Sequence, residues 1–379
     1  MKESPRVLFV GRPRLRLPLP EWLARKWDAV GEVIDYRLVG AAEPGSPTQS
    51  HRFRLSSPAR PSFLDGVLFH LRLPFRVRRE IDEFRPSVIV AGDPYVGSAV
   101  LAGRALARSR VPVVVEVHGD WGTFTRGYGS RARRLLSPLT DRVAVFAVRR
   151  ADATRALSQF TSDLIEGTRG RPASVCFPTY SDLGAFAAKP IAPLPDQPTA
   201  VFVGMLEAYK NIDGMAAAWR RVAVALPDAV LIVVGKGARR HVVEALVQEL
   251  PQQVEYHEEL PPEAVADALD RSTVLVLPSW PEGLGRVVIE AFARGRGVVA
   301  TGAGGVLDLV TDEVQGILIP PADTDALVTS LIRVLSEPEL ASRFGDAARE
   351  AYAGWHQTPS DFAAKTRALV DSVLAGDVR

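Results

Sequence analysis

Two acids, a lysine and a set of glycines are spaced along the C-terminal half of this chain so that together they could hold a phosphorylated sugar. Within residues 278–305 (PSWPEGLGRVVIEAFARGRGVVATGAGG), Glu282 lies in a glycine-containing turn, and Glu290 falls eight positions later inside a predicted helix. Carboxylates accept hydrogen bonds from hydroxyls, so two of them spaced along one segment suit a sugar and a ribose. The backbone N–H groups of Leu284, Gly285 and Arg286 open the helix, and a helix N-terminus suits a diphosphate. A glycine loop at 302–305, with Gly304 and Gly305, follows the next strand. Lys210 stands six residues past Gly204, in a turn after another strand, and can reach a diphosphate as a point charge. The plainer alternatives are an exposed loop lysine and an acid facing solvent. Apolar Val287, Val288, Ile289, Ala291 and Phe292 surround Glu290 in sequence, which makes an unpaired charge there costly.

To bring these residues to one place, strand ends must meet at one edge of a sheet, where open α/β folds bind ligands. Strand-like runs occur at 7–10, 33–38, 88–91, 113–117 and 153–157, separated by helical segments that include 97–107 and 142–150. Such alternation predicts an α/β fold with a parallel, doubly wound sheet. Residues 189–198 (KPIAPLPDQP) hold four prolines, the composition of a semi-rigid linker. The pattern then restarts at 200–203, 229–234, 254–257, 274–277, 298–300 and 316–319. The expected division is a first domain over 1–188, a linker over 189–198, a second domain over 199–355 and a terminal helical segment over 356–379.

These segments resemble retaining GT-B glycosyltransferases of family 4. In that family two glutamates separated by seven residues hold the donor, and Glu282 and Glu290 have that spacing. Residues 201–211 (VFVGMLEAYKN) resemble the family's strand, its glycine turn at Gly204 and its phosphate-binding lysine at Lys210. Residues 231–237 (LIVVGKG) resemble the next strand and a nucleotide-lining turn with Gly235 and Gly237. The resemblance is firm over roughly 200–335 and looser, but in register, from the start of the chain. It implies two Rossmann-like domains facing each other across a cleft, with the helix at 359–374 crossing back to the first domain. It implies a UDP- or GDP-linked sugar as co-substrate, and neither a cofactor nor a metal. Glu290 would then bind the ribose, Glu282 the transferred sugar and Lys210 the departing phosphate. His118, at the end of the 113–117 strand in VEVHGDW, would contact the donor sugar. Asp120, Trp121, Asp93 and Tyr95, at strand ends of the same edge, would shape the acceptor pocket. The implied chemistry is front-face departure and attack, with no side-chain nucleophile.

The chain departs from the family in two places. Met205 stands where an arginine usually follows the glycine. In place of a glycine pair after the first strand, the chain reads GRPRLRLPLPE, with Gly11 and then Arg12, Arg14 and Arg16. Solvated arginines are the default reading there; the alternative is that one of them supplies the missing phosphate cation. Two other patterns are discounted. Asp323 and Asp325 look like a metal-holding acid pair but open a helical run, where capping explains them. GKGARR at 235–240 has Arg240 where a dinucleotide fingerprint needs a third glycine.

A chain of 379 residues is long for one core and suggests two domains. With 47% hydrophobic and 24% charged residues it has the composition of a soluble globular protein. The apolar runs are too short for a membrane-spanning helix, and the apolar stretch in MKESPRVLFVG is expected to be a first strand, being short for a signal peptide. A single cysteine, Cys176, excludes an internal disulfide. A cytoplasmic location is expected, and no nucleic-acid partner. Charge is uneven: residues 1–188 carry 29 Lys+Arg against 18 Asp+Glu, or +11, and 189–379 carry 17 against 26, or −9. The basic half would suit an acidic acceptor, or peripheral contact with the inner face of an anionic membrane. Residues 63–81 (FLDGVLFHLRLPFRVRREI) mix large apolar and basic side chains; a core-packed helix is favoured over a bilayer-lying one, with Pro74 interrupting it. Two rival readings are a GT-B sugar-nucleotide epimerase and a non-catalytic nucleotide-sugar-binding subunit.

Overall fold

Short strands that are apolar on both faces can be satisfied only inside a sheet with helices on each side, and the chain builds such a sheet twice. The computed structural model describes residues 4–59, 65–122 and 131–377. They group into two compact units, one of 4–59, 65–122, 131–180 and 357–377, the other of 181–356.

The first unit runs β1 (Arg6–Leu15), α1 (Glu21–Val33), β2 (Asp35–Ala42), β3 (Phe53–Ser56), α2 (Asp65–Phe84), β4 (Val88–Ala91), α3 (Pro94–Leu106), β5 (Val113–Val117), α4 (Arg131–Arg150), β6 (Ala153–Ala156), α5 (Gln159–Arg169) and β7 (Val175–Cys176). Its seven parallel strands are ordered β3-β2-β1-β4-β5-β6-β7. Side chains alternate between the faces. Leu8, Val10, Ile89, Val113 and Val115 pack toward α2, α3 and α4, while Val7, Val88, Val90 and Val114 pack toward α1. The short edge strands β3 and β7 were not expected. α2 continues through Pro74, which the sequence reading had as an interruption. Residues 63 and 64 of that segment lie outside the described residues.

The second unit follows with α6 (Gly184–Ala187), β8 (Thr199–Val203), α7 (Ile212–Ala225), β9 (Val230–Val234), α8 (Arg240–Glu249), β10 (Val254–His257), α9 (Pro262–Asp270), β11 (Val274–Leu277), α10 (Arg286–Ala293), β12 (Gly297–Thr301), α11 (Val306–Leu309), β13 (Gly316–Ile319), α12 (Thr324–Ser336) and α13 (Pro338–Trp355). All six strands are parallel, in the order β10-β9-β8-β11-β12-β13. Strand order therefore reverses between β8 and β11, the switch point where such sheets open toward a ligand. Asp323 caps α12, accepting from Ala326 N–H at 2.8 Å, and Asp325 pairs with Arg221.

The final helix, α14 (Pro359–Ala375), belongs to the first unit and packs against α1. The Arg367 guanidinium donates to Val33 O at 2.8 Å, and the Phe362 and Phe177 rings meet edge to face, 6.2 Å apart.

The unit boundary corrects the sequence reading. It falls between Tyr180 and Ser181, and the proline run at 189–198 lies within the second unit. The reason is two buried arginines just after α10. Arg294 forms a two-pronged ion pair with Asp270, both contacts at 2.8 Å, and donates to the carbonyls of Phe186, Lys189 and Pro190. Arg296 donates to Ala192 O and Pro193 O. Proline-rich backbone has few donors but keeps all its carbonyls, which suits a donor-only side chain. Arg294→Met leaves Asp270 unpaired and three carbonyls unbonded, and should cost about 2–3 kcal/mol in chemical denaturation. A loss under about 0.5 kcal/mol would mean that these bonds do not hold the segment.

Candidate functional site

The two glycine turns at the switch point exist because backbones meet there with no room for a side chain. A Cβ on Gly235 would stand 1.8 Å from Gly204 O, and one on Gly237 would stand 2.4 Å from Leu206 O. The loops after β8 and β9 are joined by Gly204 N–H to Val234 O and Leu206 N–H to Lys236 O, each 2.9 Å. On the other side of the switch point, Glu282 makes an isolated parallel bridge with Gly304, and Gly305 N–H donates to Glu282 O at 2.8 Å. A Cβ on Gly304 would lie 2.4 Å from Glu282 O, and Gly304 has φ +69°, a conformation that favours glycine.

Lys210 ends a single 3-10 turn (Ala208–Lys210), after which Asn211 takes a left-handed conformation and starts α7. This turn carries the ammonium across the switch point to the Glu282 carboxylate, with which it forms an ion pair. Trp280 N–H donates to Tyr209 O at 2.7 Å and ties the same two loops through the backbone. The Lys210 and Glu282 side chains are only 10% and 12% exposed, so the pair is largely withdrawn from water. Lys210, Glu282, Gly204, Gly304 and Gly305 are thus brought together, with Gly235 and Gly237 behind Gly204.

α10 starts at Gly285, which has φ +90° and provides no side-chain cap. The first N–H groups of the helix are left for another acceptor, as a phosphate site requires. One turn further on, Glu290 is buried, and its carboxylate meets the Arg286 guanidinium at 2.7 Å. Burial pushes the Glu290 carboxyl above the usual carboxylate range, and Arg286 only partly offsets this. Arg286 also reaches Asp182 O at 3.4 Å. Leu284 is half-buried beside Gly285. Met205, in place of the family's arginine, is 44% exposed.

The candidates of the first unit have specific partners. His118 Nε2 lies 3.1 Å from Glu116 Oε2, and the other Glu116 oxygen accepts from Arg155 at 2.8 Å. A carboxylate only accepts, so Nε2 is the donor in this contact. Burial would raise the Glu116 carboxyl, but Arg155 and His118 hold it well below the usual range. Arg155 is buried and also donates to Phe177 O and Thr179 Oγ1. Burial brings Lys26 down to about 8, with Glu116 opposing the shift and Arg155 adding to it. Glu116, Arg155 and Lys26 did not figure in the sequence reading. An acid inside the apolar run VVVEV was the available signal, since a charge in a buried strand needs a partner.

Asp93 caps α3, accepting from Val96 N–H at 2.8 Å. Tyr95 donates to Trp121 O at 3.2 Å, and Asp120 accepts from Gly122 N–H at 2.9 Å. These four lie at the β4 and β5 ends, as expected. Gly11 is inside β1, which extends further than anticipated and carries Arg12 and Arg14, with Arg16 just beyond. Arg12 and Arg14 both reach the Asp65 carboxylate, at 3.5 and 3.1 Å, so each is an ion-pair partner in this structure.

Comparison with known proteins bears on the family of both halves of the chain. The family model for "Glycosyl transferases group 1" matches residues 187–351, and that for "Glycosyltransferase Family 4" matches 23–177. The chain is similar to the sulfoquinovosyl transferase of Arabidopsis thaliana, 27% identical over 84% of this chain and 64% of that protein. It is similar also to the alpha-D-kanosaminyltransferase of Streptomyces kanamyceticus, 26% identical over 85% of this chain and 91% of that protein. Among solved structures, a sucrose-phosphate synthase from Thermosynechococcus elongatus superposes with a TM-score of 0.77 at 20% identity, covering 98% of this chain and 100% of that one. The aligned region thus spans less than two thirds of the first of these relatives and nearly all of the second. The chain belongs to the GT-B glycosyltransferases of the family 4 type.

Proposed function

We propose that this protein is a retaining hexosyltransferase that moves a sugar from a UDP- or GDP-linked donor to an acceptor hydroxyl without a metal. The observation that carries the reading is the Lys210–Glu282 pair, which bridges the switch point between glycine turns and beside the uncapped start of α10. A dianionic diphosphate outcompetes one carboxylate for the ammonium. Donor binding would then move Lys210 from Glu282 to phosphate, and Glu282 becomes free to accept a bond from a sugar hydroxyl. Lys210 and the α10 N–H groups neutralise charge as the sugar–phosphate bond lengthens, the task that a metal performs in other transferases. Glu290, buried and oriented by Arg286, accepts from the ribose hydroxyls. His118, oriented by Glu116, is the proposed catalytic contribution of the first unit, and Asp93, Tyr95, Asp120 and Trp121 its acceptor contacts. The acceptor class extends over lipid-linked sugars, polysaccharide ends and small metabolites.

The test is to follow turnover of α-linked donors by proton NMR, with a panel of acceptors and with EDTA present. Nucleotide release with an α-configured product, undiminished by EDTA, is the expected result. A β-configured product would contradict retention, and a changed sugar without nucleotide release would establish the epimerase.

A further inference from the structure

α2, α3 and α4 form one helical layer on the first sheet, with α3 packed against both of its neighbours. α2 already buries one apolar stripe, Phe69, Leu73 and Val77, in the core. A second stripe, Val67, Leu71 and Phe75, points to solvent at i, i+4 and i+8. α4 repeats this with Leu139, Val143 and Phe146, and all six side chains are between 37% and 65% exposed. The exposed surface of α3 between them includes Leu106 and alanines. A surface helix needs one apolar face. Second stripes on neighbouring helices of one layer mark a surface that is covered in use.

Charge on this face points to what covers it. Arg78 continues the α2 stripe at i+11, and Arg142 and Arg150 lie along the α4 stripe. Arg142 and Arg150 make no ion pair among the described residues, and Arg78 only touches Asp82 at 4.0 Å. A second copy of the chain packed on this face would bring two patches of the same positive charge together, which is unfavourable. A bilayer with anionic headgroups satisfies both features, with the apolar stripes entering the acyl boundary and the arginines among the headgroups.

We infer that the outer face of α2, α3 and α4 docks on an anionic lipid surface. The inference does not depend on the donor chemistry, because its readout needs no turnover. The test is flotation of the full chain with phosphatidylcholine vesicles, with and without phosphatidylglycerol. Wild type should float with the anionic vesicles, and less so as salt rises. Leu71→Asp/Phe75→Asp and Arg142→Glu/Arg150→Glu should each lower the bound fraction about tenfold, with Tm unchanged because these side chains lie on the surface. Failure of wild type to bind anionic vesicles at low salt, or equal binding by both variants, would overturn the inference. So would a dimer in light scattering that Leu71→Asp/Phe75→Asp disperses, since a second copy would then own the face.

Discussion

Lys210→Ala should lower kcat/KM by about 10²–10³, because in the proposed role this lysine is the positive charge that meets the departing diphosphate. It should also destabilise the unliganded protein. The Glu282 carboxylate would be left nearly buried without its counter-ion, at a cost of about 3 kcal/mol. The two effects separate in a second variant. Lys210→Met/Glu282→Gln removes both charges, so it should recover most of the stability in urea unfolding while remaining inactive. Steady-state kinetics beside unfolding curves makes the comparison. If Lys210→Ala keeps activity within about threefold of wild type, the lysine is only a structural partner of Glu282, and the proposed exchange onto phosphate is wrong.

Glu290→Gln should behave in the opposite way, losing function without losing stability. A carboxylate accepting from ribose hydroxyls contributes about 1.5–3 kcal/mol, so donor affinity should fall roughly ten- to a hundredfold. In the free protein that carboxylate is a burden. Burial raises its folded pKa above the unfolded value of 4.5. The folded state therefore binds more protons than the unfolded one over the window from 4.5 upward, and stability falls as pH rises through it. The Gln variant lacks this slope and should be at least as stable as wild type at pH 7. Tm measured from pH 4 to 8 on both proteins checks the sign. A large loss of Tm in Glu290→Gln at neutral pH would make Glu290 a structural residue.

Much of this was legible in the residues because the pattern is local. Five of the six strands of the second sheet are short apolar runs bounded by turns, β10 (VEYH) being mixed, and their order follows from the doubly wound reading. The meeting of Lys210 with Glu282 follows once β8 and β11 are neighbours. What escaped is non-local or weakly patterned. β3 and β7 are edge strands of four and two residues, too short for their pattern to stand out in sequence. The proline run has the composition of a linker, yet Arg294 and Arg296, about a hundred positions away, bind its carbonyls into the second unit. Buried arginines carry no hydropathy signal, and the same blindness hid Arg155 behind Glu116. The 63–81 segment reads from sequence as core-packed in preference to bilayer-lying, whereas α2 carries both a buried and an exposed apolar stripe.

The central claim is that the β8–β11 switch point binds a nucleotide sugar, and donor binding tests it most directly. Thermal shift of wild type and Glu290→Gln with UDP, GDP, ADP and their common sugar conjugates would read it. At about 100 Kd a ligand adds roughly 2.7 kcal/mol, an easily seen shift. The account predicts stabilisation of wild type by one base and its sugar conjugate, and loss of that shift in the variant. An equal shift in both proteins would place the nucleotide elsewhere and contradict the site.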